Sequence, residues 1–188
     1  MALVLDGNGT MTVGNGSISG LSNGAIPAEK VGAGAVLQVL QAVKTDTQST
    51  TSATFVDITG LSVSITPKSS SSKILISASV NRGTTDNMIS NFQFMRDSTA
   101  IGIGDAAGSR ARSSMSVYTG SSDSVSHIVT VAMNFLDSPS TTSATTYKVQ
   151  FRSQGGGQTT FINRNSADGD GATVPRTISS ITVMEIAA

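Results

Sequence analysis

The feature that most constrains the fold is the apolar run at residues 125–137, which reads V-S-H-I-V-T-V-A-M-N-F-L-D. Its side chains alternate with a period of two, which is the period of a β-strand. One face, from Val125 to Phe135, is almost wholly apolar, and the opposite face still carries Ile128 and Leu136. A strand with one solvated face is more polar on that face. We therefore predict a central strand whose second face is partly covered.

The same period recurs along most of the remaining chain, and no long segment has the 3.6-residue period of a helix. This pattern predicts an all-β protein of about eight to ten strands, arranged as a jelly-roll β-sandwich because double-sheet layouts protect sheet edges. The triple glycine at residues 155–157 predicts a tight hairpin that returns at residues 159–163. The other predicted strands are residues 36–44, 53–58, 61–65, 73–81, 88–96, 99–103, 116–118, 145–153 and 177–186.

Residues 1–35 differ from the rest of the chain. They are rich in glycine and contain three Asn-Gly pairs, at residues 8–9, 15–16 and 23–24, which favour tight turns. The apolar pieces between these turns are too short to form a core of their own. Two interpretations stay open, a disordered leader and an arm that folds only against a partner. We predict an extended N-terminal attachment arm at residues 1–35 and a β-sandwich body at residues 36–188.

Composition excludes several kinds of partner and site. Charged residues are 13% of the chain and the formal net charge is zero, so there is no electrostatic basis for binding nucleic acid. No apolar run reaches the roughly 18 residues that span a bilayer, and no signal peptide is visible, so we expect no membrane insertion. The chain has no cysteine. Aromatic residues are only 4%, and such a thin core is often supplemented by surface buried between subunits.

Candidate catalytic residues are few. His127 is the only histidine and lies on the apolar face of the strand predicted at residues 125–137, where a buried or interface role is more common than catalysis or metal binding. Gly102, Gly104 and Gly108 lack the spacing of a dinucleotide-binding loop. No G-x-S-x-G motif is present, and the carboxylates show no pairing of the kind that a glycosidase needs. We therefore expect no enzyme, no catalytic residue, no cofactor and no metal site.

The function of two groups of polar residues is left undecided by the sequence. The run D-G-D-G at residues 168–171 resembles part of a calcium loop but lacks its first ligand and its closing glutamate, so ion binding at residues 165–171 is undecided. The arginines are scattered among small polar residues, which indicates solvated loops or a weak contact with a glycan or polyanion. They are Arg110, Arg112, Arg152, Arg164 and Arg176.

The chain resembles short bacteriophage tail-fibre and virion surface proteins. The opening M-A-L-V-L-D-G, followed by the Asn-Gly pairs, resembles the leaders of that group. V-L-Q-V-L-Q-A-V-K-T-D-T at residues 36–47 is similar to its first body strand, and F-V-D-I-T-G-L-S-V-S-I-T-P at residues 55–67 is similar to the segment that follows. The serine-rich residues 68–72, K-I-L-I at residues 73–76 and I-T-V-M-E-I at residues 181–186 also fit.

The resemblance implies a trimeric jelly roll of the complement and tumour-necrosis-factor type, in which strand faces are buried along a threefold axis. It implies a non-enzymatic structural protein at the surface of a phage virion, a trimeric knob held to other virion proteins through residues 1–35. A short tail fibre or host-adhesion protein is the leading interpretation. A host-surface glycan would then bind the loops at residues 83–87, 104–124 and 165–176.

Other functions are kept as alternatives. The second is a capsid decoration (cement) protein at threefold positions of the shell, which the short chain favours. More distant candidates are a glycan-acting enzyme and a cellular sugar-binding module.

Overall fold

The computed structural model describes residues 32–85, 88–120 and 127–188, and within these ranges the chain forms eleven β-strands and no helix. None of these segments therefore contains a helix long and apolar enough to cross a membrane. The strands are β1 Val36–Lys44, β2 Gln48–Thr50, β3 Val56–Ile65, β4 Lys73–Thr84, β5 Met88–Arg96, β6 Thr99–Ile101, β7 Met115–Thr119, β8 Val129–Asp137, β9 Thr145–Ser153, β10 Thr160–Ile162 and β11 Ser179–Ile186.

The strands form two antiparallel sheets that pack face to face. The first sheet has the order β1-β11-β4-β8. Past the end of β11, the short strand β10 pairs with the same edge of β4, and β2 pairs with β10. The second sheet has the order β3-β9-β5-β7, with β6 beside β7 on the same edge of β5. Long strands that follow one another in sequence mostly lie in different sheets. The predicted jelly-roll sandwich is confirmed.

The core lies between the sheets and is built from alternate residues of each long strand. In β9, Tyr147, Val149 and Phe151 are fully buried, whereas the intervening side chains are partly exposed. Phe92 of β5 stacks on Phe151 with ring centroids 6.4 Å apart. The first sheet contributes mainly isoleucine, valine and alanine. Because inward and outward residues alternate so regularly, each sheet also has a well-defined outer face.

The strand at residues 125–137 is shorter and less central than predicted. β8 begins at Val129, and residues 125 and 126 lie outside the described ranges. The predicted facing is confirmed for Val131 and Met133, which are buried. The central position was wrong, because β8 pairs only with β4 in the described part of the chain. The apolar residues on its second face mark an exposed surface of an edge strand.

Two turn predictions were also wrong. Residues 53–58 and 61–65 do not form two strands, because Gly60 has a φ of 87° and a β-bulge between Asp57 and Ser62 lets β3 continue. The triple glycine at residues 155–157 does not close a hairpin. All three glycines have positive φ, and the chain leaves the second sheet after β9 and enters the first as β10, which pairs with β2 and β4.

The predicted arm at residues 1–35 lies outside the described residues except for its last four. Of these, Gly34 donates its N–H to the carbonyl of Ala187 at 2.7 Å. Ala187 in turn donates to the carbonyl of Ala35 at 2.9 Å. These bonds extend the β1–β11 pairing, so the described chain begins as a continuation of the edge strand β1.

Candidate assembly surface

The outer face of the first sheet carries an apolar row that crosses all four of its long strands. Cross-strand register places Val39 of β1 opposite Met184 of β11, Met184 opposite Leu75 of β4, and Leu75 opposite Leu136 of β8. Val39 and Leu136, at the two ends, are 53% and 54% exposed, and the middle two side chains are partly buried. With strands about 4.8 Å apart, the row is about 14 Å long. We call it the apolar row.

On one side of the apolar row, the next two rows are uncharged, whereas the row on the other side contains Lys73. The adjacent row contains Gln41, Thr182, Ser77 and Asn134, and the Gln41 amide donates to the Thr182 hydroxyl at 2.9 Å. The row beyond it contains Val43, which is 46% exposed, and Ala132. Covering this face would desolvate no ionised group in these three rows. Cores of protein interfaces are likewise depleted in charged residues.

The edge of the sandwich formed by β7 and β8 is open in the described residues. Among the described strands, β7 pairs with β5 and β8 pairs with β4, so each lies at an edge of its sheet. Tyr118 and Met115 of β7 are exposed beside this edge, and Leu136 of β8 ends the apolar row there. Exposed edge strands invite pairing with another chain, and native proteins usually protect them. The first sheet and this edge therefore form one extended surface suited to protein contact.

The outer face of the second sheet is bonded internally by polar side chains on β3, β9 and β5, and it also carries the exposed pair Ile89 and Tyr118. Asp57 accepts a hydrogen bond from the Lys148 ammonium at 2.7 Å and another from the Gln150 amide at 2.7 Å. Partial burial acts to raise the pKa of Asp57, but these bonds outweigh it and hold the pKa below its ordinary value. Gln93 donates to Gln150 at 2.8 Å and continues the network across β5. This face satisfies its own polar groups.

The residues predicted as candidate sites are not brought together. His127 is exposed and precedes β8, so it does not lie on the strand as predicted and is not buried within the chain, and its interface role stays a prediction. Gly102 has a φ of 58° and lies against the Phe135 ring at the end of β6, which is a packing role. Within the described ranges, no group of three His, Cys, Asp or Glu side chains is placed to hold a metal ion.

The D-G-D-G run lies in the loop between β10 and β11. The Asp168 carboxylate pairs with Arg164 at 3.1 Å and also with Arg176, so both of its oxygens face arginines. Arg164 in addition stacks over the Phe161 ring at 4.0 Å. Two of the scattered arginines thus hold this loop together through Asp168.

Two buried polar residues were not anticipated from the sequence. Asn163, fully buried with a φ of 63°, donates to the carbonyls of Lys44 and Asp46, both at 2.9 Å, and accepts from the Ser179 hydroxyl at 2.6 Å. Arg82 points into the sandwich and bonds Thr119 Oγ1 at 2.5 Å and the carbonyl of Val117 at 2.8 Å. Burial lowers the pKa of Arg82 to about 10. Only Arg82 had a sequence signal, because it continues the inward-facing alternation of β4.

Comparisons with known proteins give no family. No protein-family model matches the chain, and no curated protein matches it. Among solved structures, it is similar to one of the infectious bursal disease virus Gx strain, with 13% identity and a TM-score of 0.39, over 80% of this chain and 38% of that one. A structure of T=1 particles derived from infectious bursal virus gives 9% identity and a TM-score of 0.37, over 80% and 36%. The chain thus spans less than two-fifths of either, and likeness at this level carries no conclusion about its function.

Proposed function

We propose that this chain is a non-enzymatic structural protein of a phage virion, which forms a homotrimeric knob on the particle surface. Its role would be that of a short tail fibre or host-adhesion protein, with residues 1–35 attaching it to other virion proteins. The apolar row on the outer face of the first sheet is the observation that carries the assembly. The sequence resemblance described above supports the phage origin and the threefold symmetry.

The geometry favours a contact between two different patches. The apolar row occupies one face of the sandwich, and the β7–β8 edge with Tyr118 and Met115 lies at its border. If the edge of one copy packs on the apolar row of the next, the contact is heterologous, and repeating it generates a closed ring when the rotation allows. Three copies in such a ring each use both patches, so no apolar row is left uncovered.

Sedimentation of the purified full chain tests this assembly. The wild-type protein should sediment at three times the chain mass of 19.1 kDa. Leu136→Asp should sediment as a folded monomer, because it places a charge without a partner in the interface while altering an exposed position of the single chain. Ser62→Asp is the matched control, since Ser62 is exposed on the second sheet. A monomeric wild-type protein, or a trimeric Leu136→Asp variant, would contradict the proposal.

A capsid decoration protein at threefold positions of the shell is the second candidate. It is favoured by the described part of the chain being one sandwich, with no elongated shaft among its strands. Both roles need the same trimer, so the number of copies per particle distinguishes them. Quantification of the virion proteins should give few copies for a fibre and a number comparable to that of the major shell protein for a decoration protein.

A further inference from the structure

An open cleft lies on the outer face of the second sheet, away from the apolar row. Its volume is about 430 Å³, which is in the size range of small-molecule sites. Its floor is a polar row in which Arg152 of β9 lies opposite Asn91 of β5, and Asn91 lies opposite Ser116 of β7. Arg110, from the connection between β6 and β7, lines the same cleft. The cleft therefore contains two arginines from distant parts of the chain.

Arg152 is held in place by several groups. Its Nε donates to Asn91 Oδ1 at 3.1 Å, and its Nη1 donates to the carbonyl of Ala53 at 2.9 Å. The guanidinium also lies over the Phe55 ring, 5.5 Å from the centroid. Asn91 is only 5% exposed, and its amide donates to the Ser116 hydroxyl at 2.9 Å. Such support fixes the orientation of a binding group before a ligand arrives.

Among the described residues, the cleft is lined by positive charge and by no aspartate or glutamate. Neither Arg110 nor Arg152 forms an ion pair with any residue that the structure describes. Arg110 uses Nη1 for a local bond to the Ala107 carbonyl at 3.3 Å and is otherwise exposed. Two guanidinium groups that share one small cleft suit an anionic group, which arginine binds through paired N–H donors.

We propose that this cleft binds the carboxylate of an acidic saccharide. The two arginines would take the carboxylate, Ser116 and Gln154 would take ring hydroxyls, and Ile89 would contact the apolar face of the sugar ring. A peptide added as a strand fits less well, because β5 is paired on both edges and offers no free backbone here. The proposal rests on the proposed function, because it supplies a ligand for the host-adhesion role.

Binding of defined probes to the full chain tests the proposal. An oligogalacturonate should bind at least about tenfold more tightly than its methyl ester, which lacks the charge. Arg110→Ala should weaken oligogalacturonate binding by at least about tenfold, and Arg152→Lys should do the same because lysine cannot form the paired bonds. Lys68→Ala, which removes an exposed positive charge elsewhere, should bind as the wild type does.

Several outcomes would overturn this assignment. They are equal affinity for the acid and the ester, wild-type affinity in Arg110→Ala, or equal affinity for a polyglutamate peptide. If a sulfated derivative of a neutral oligosaccharide binds more tightly than oligogalacturonate, the choice of a carboxylate is overturned. Oligogalacturonate binding that persists in a monomeric wild-type protein would support the cleft while contradicting the trimer. A trimer that binds no acidic saccharide would contradict the cleft alone.

Discussion

The two outer faces of the sandwich are built from strands of the same period and yet differ in chemistry. Across the first sheet, cross-strand register leaves an apolar row facing solvent, which is formed by Val39, Met184, Leu75 and Leu136. Across the second sheet, the polar side chains meet in register and bond to one another, as Gln93 does with Gln150. A face that satisfies its own polar groups is stable in water, whereas an apolar row gains from being covered. The difference indicates which face is suited to assembly and which to solvent or small ligands.

The largest expected effect tests the facing of β8, on which the assignment of the first outer face depends. Met133→Asp should abolish soluble folded protein, because Met133 is only 4% exposed and a charge there costs several kcal/mol. Ser62→Asp, at an exposed position of β3 in the other sheet, should change the free energy of unfolding by less than about 0.5 kcal/mol. Soluble expression and thermal unfolding measure both. A folded Met133→Asp protein would show that β8 is turned the other way.

An intermediate effect concerns the loops that lie over the two faces. In the β10–β11 loop, the carbonyl of Arg164 would clash with a Cβ added at Gly83 of β4, so Gly83→Ala forces the backbone to move. We expect a loss of about 1–3 kcal/mol in urea unfolding, as for other overpacked sites. Gly104→Ala, in the β6–β7 connection beside the other face, meets nothing within 4 Å and should lose much less. Equal losses would mean that the β10–β11 loop does not pack tightly on the first sheet.

The smallest expected effect concerns the bonded network of the second face. Asp57→Asn removes the ion pair with Lys148, in which the Asp57 side chain is 50% exposed, so solvent screening limits the loss to less than about 1 kcal/mol. Added salt should reduce the difference further. Because the folded pKa of Asp57 is lowered, the carboxylate contributes stability above its ordinary value of 3.8 and loses it as the pH falls through the folded pKa.

Urea unfolding of wild type and Asp57→Asn at neutral pH and below pH 3.8 measures this contribution. Asp170→Asn, at an exposed carboxylate of the β10–β11 loop, is the control for the change of charge alone. A difference that grows as the pH falls would contradict the assigned network.

Local alternation predicted most strands and the fold class. Residues 36–44, 88–96 and 145–153 form β1, β5 and β9 with the predicted bounds, because a period of two over nine residues leaves few other structures. The failures fall where backbone geometry or distant partners decide. Gly60 absorbs a bulge that keeps β3 continuous, and the three glycines at residues 155–157 carry the chain between sheets. A glycine indicates that the backbone can turn, but it does not predict which sheet the next strand joins.

The sequence by itself determined an all-β sandwich, the side chains that face its core, and the presence of surplus apolar residues on β8. Only the tertiary structure decided that Leu136 lies at the end of a row with Leu75, Met184 and Val39, and that Arg110 and Arg152 line one cleft. Alternation of apolar and polar side chains is a property of neighbouring residues, so it can be read from the sequence. Register between strands that are far apart in sequence depends on how the whole sandwich closes, and this register forms the apolar row and the floor of the cleft.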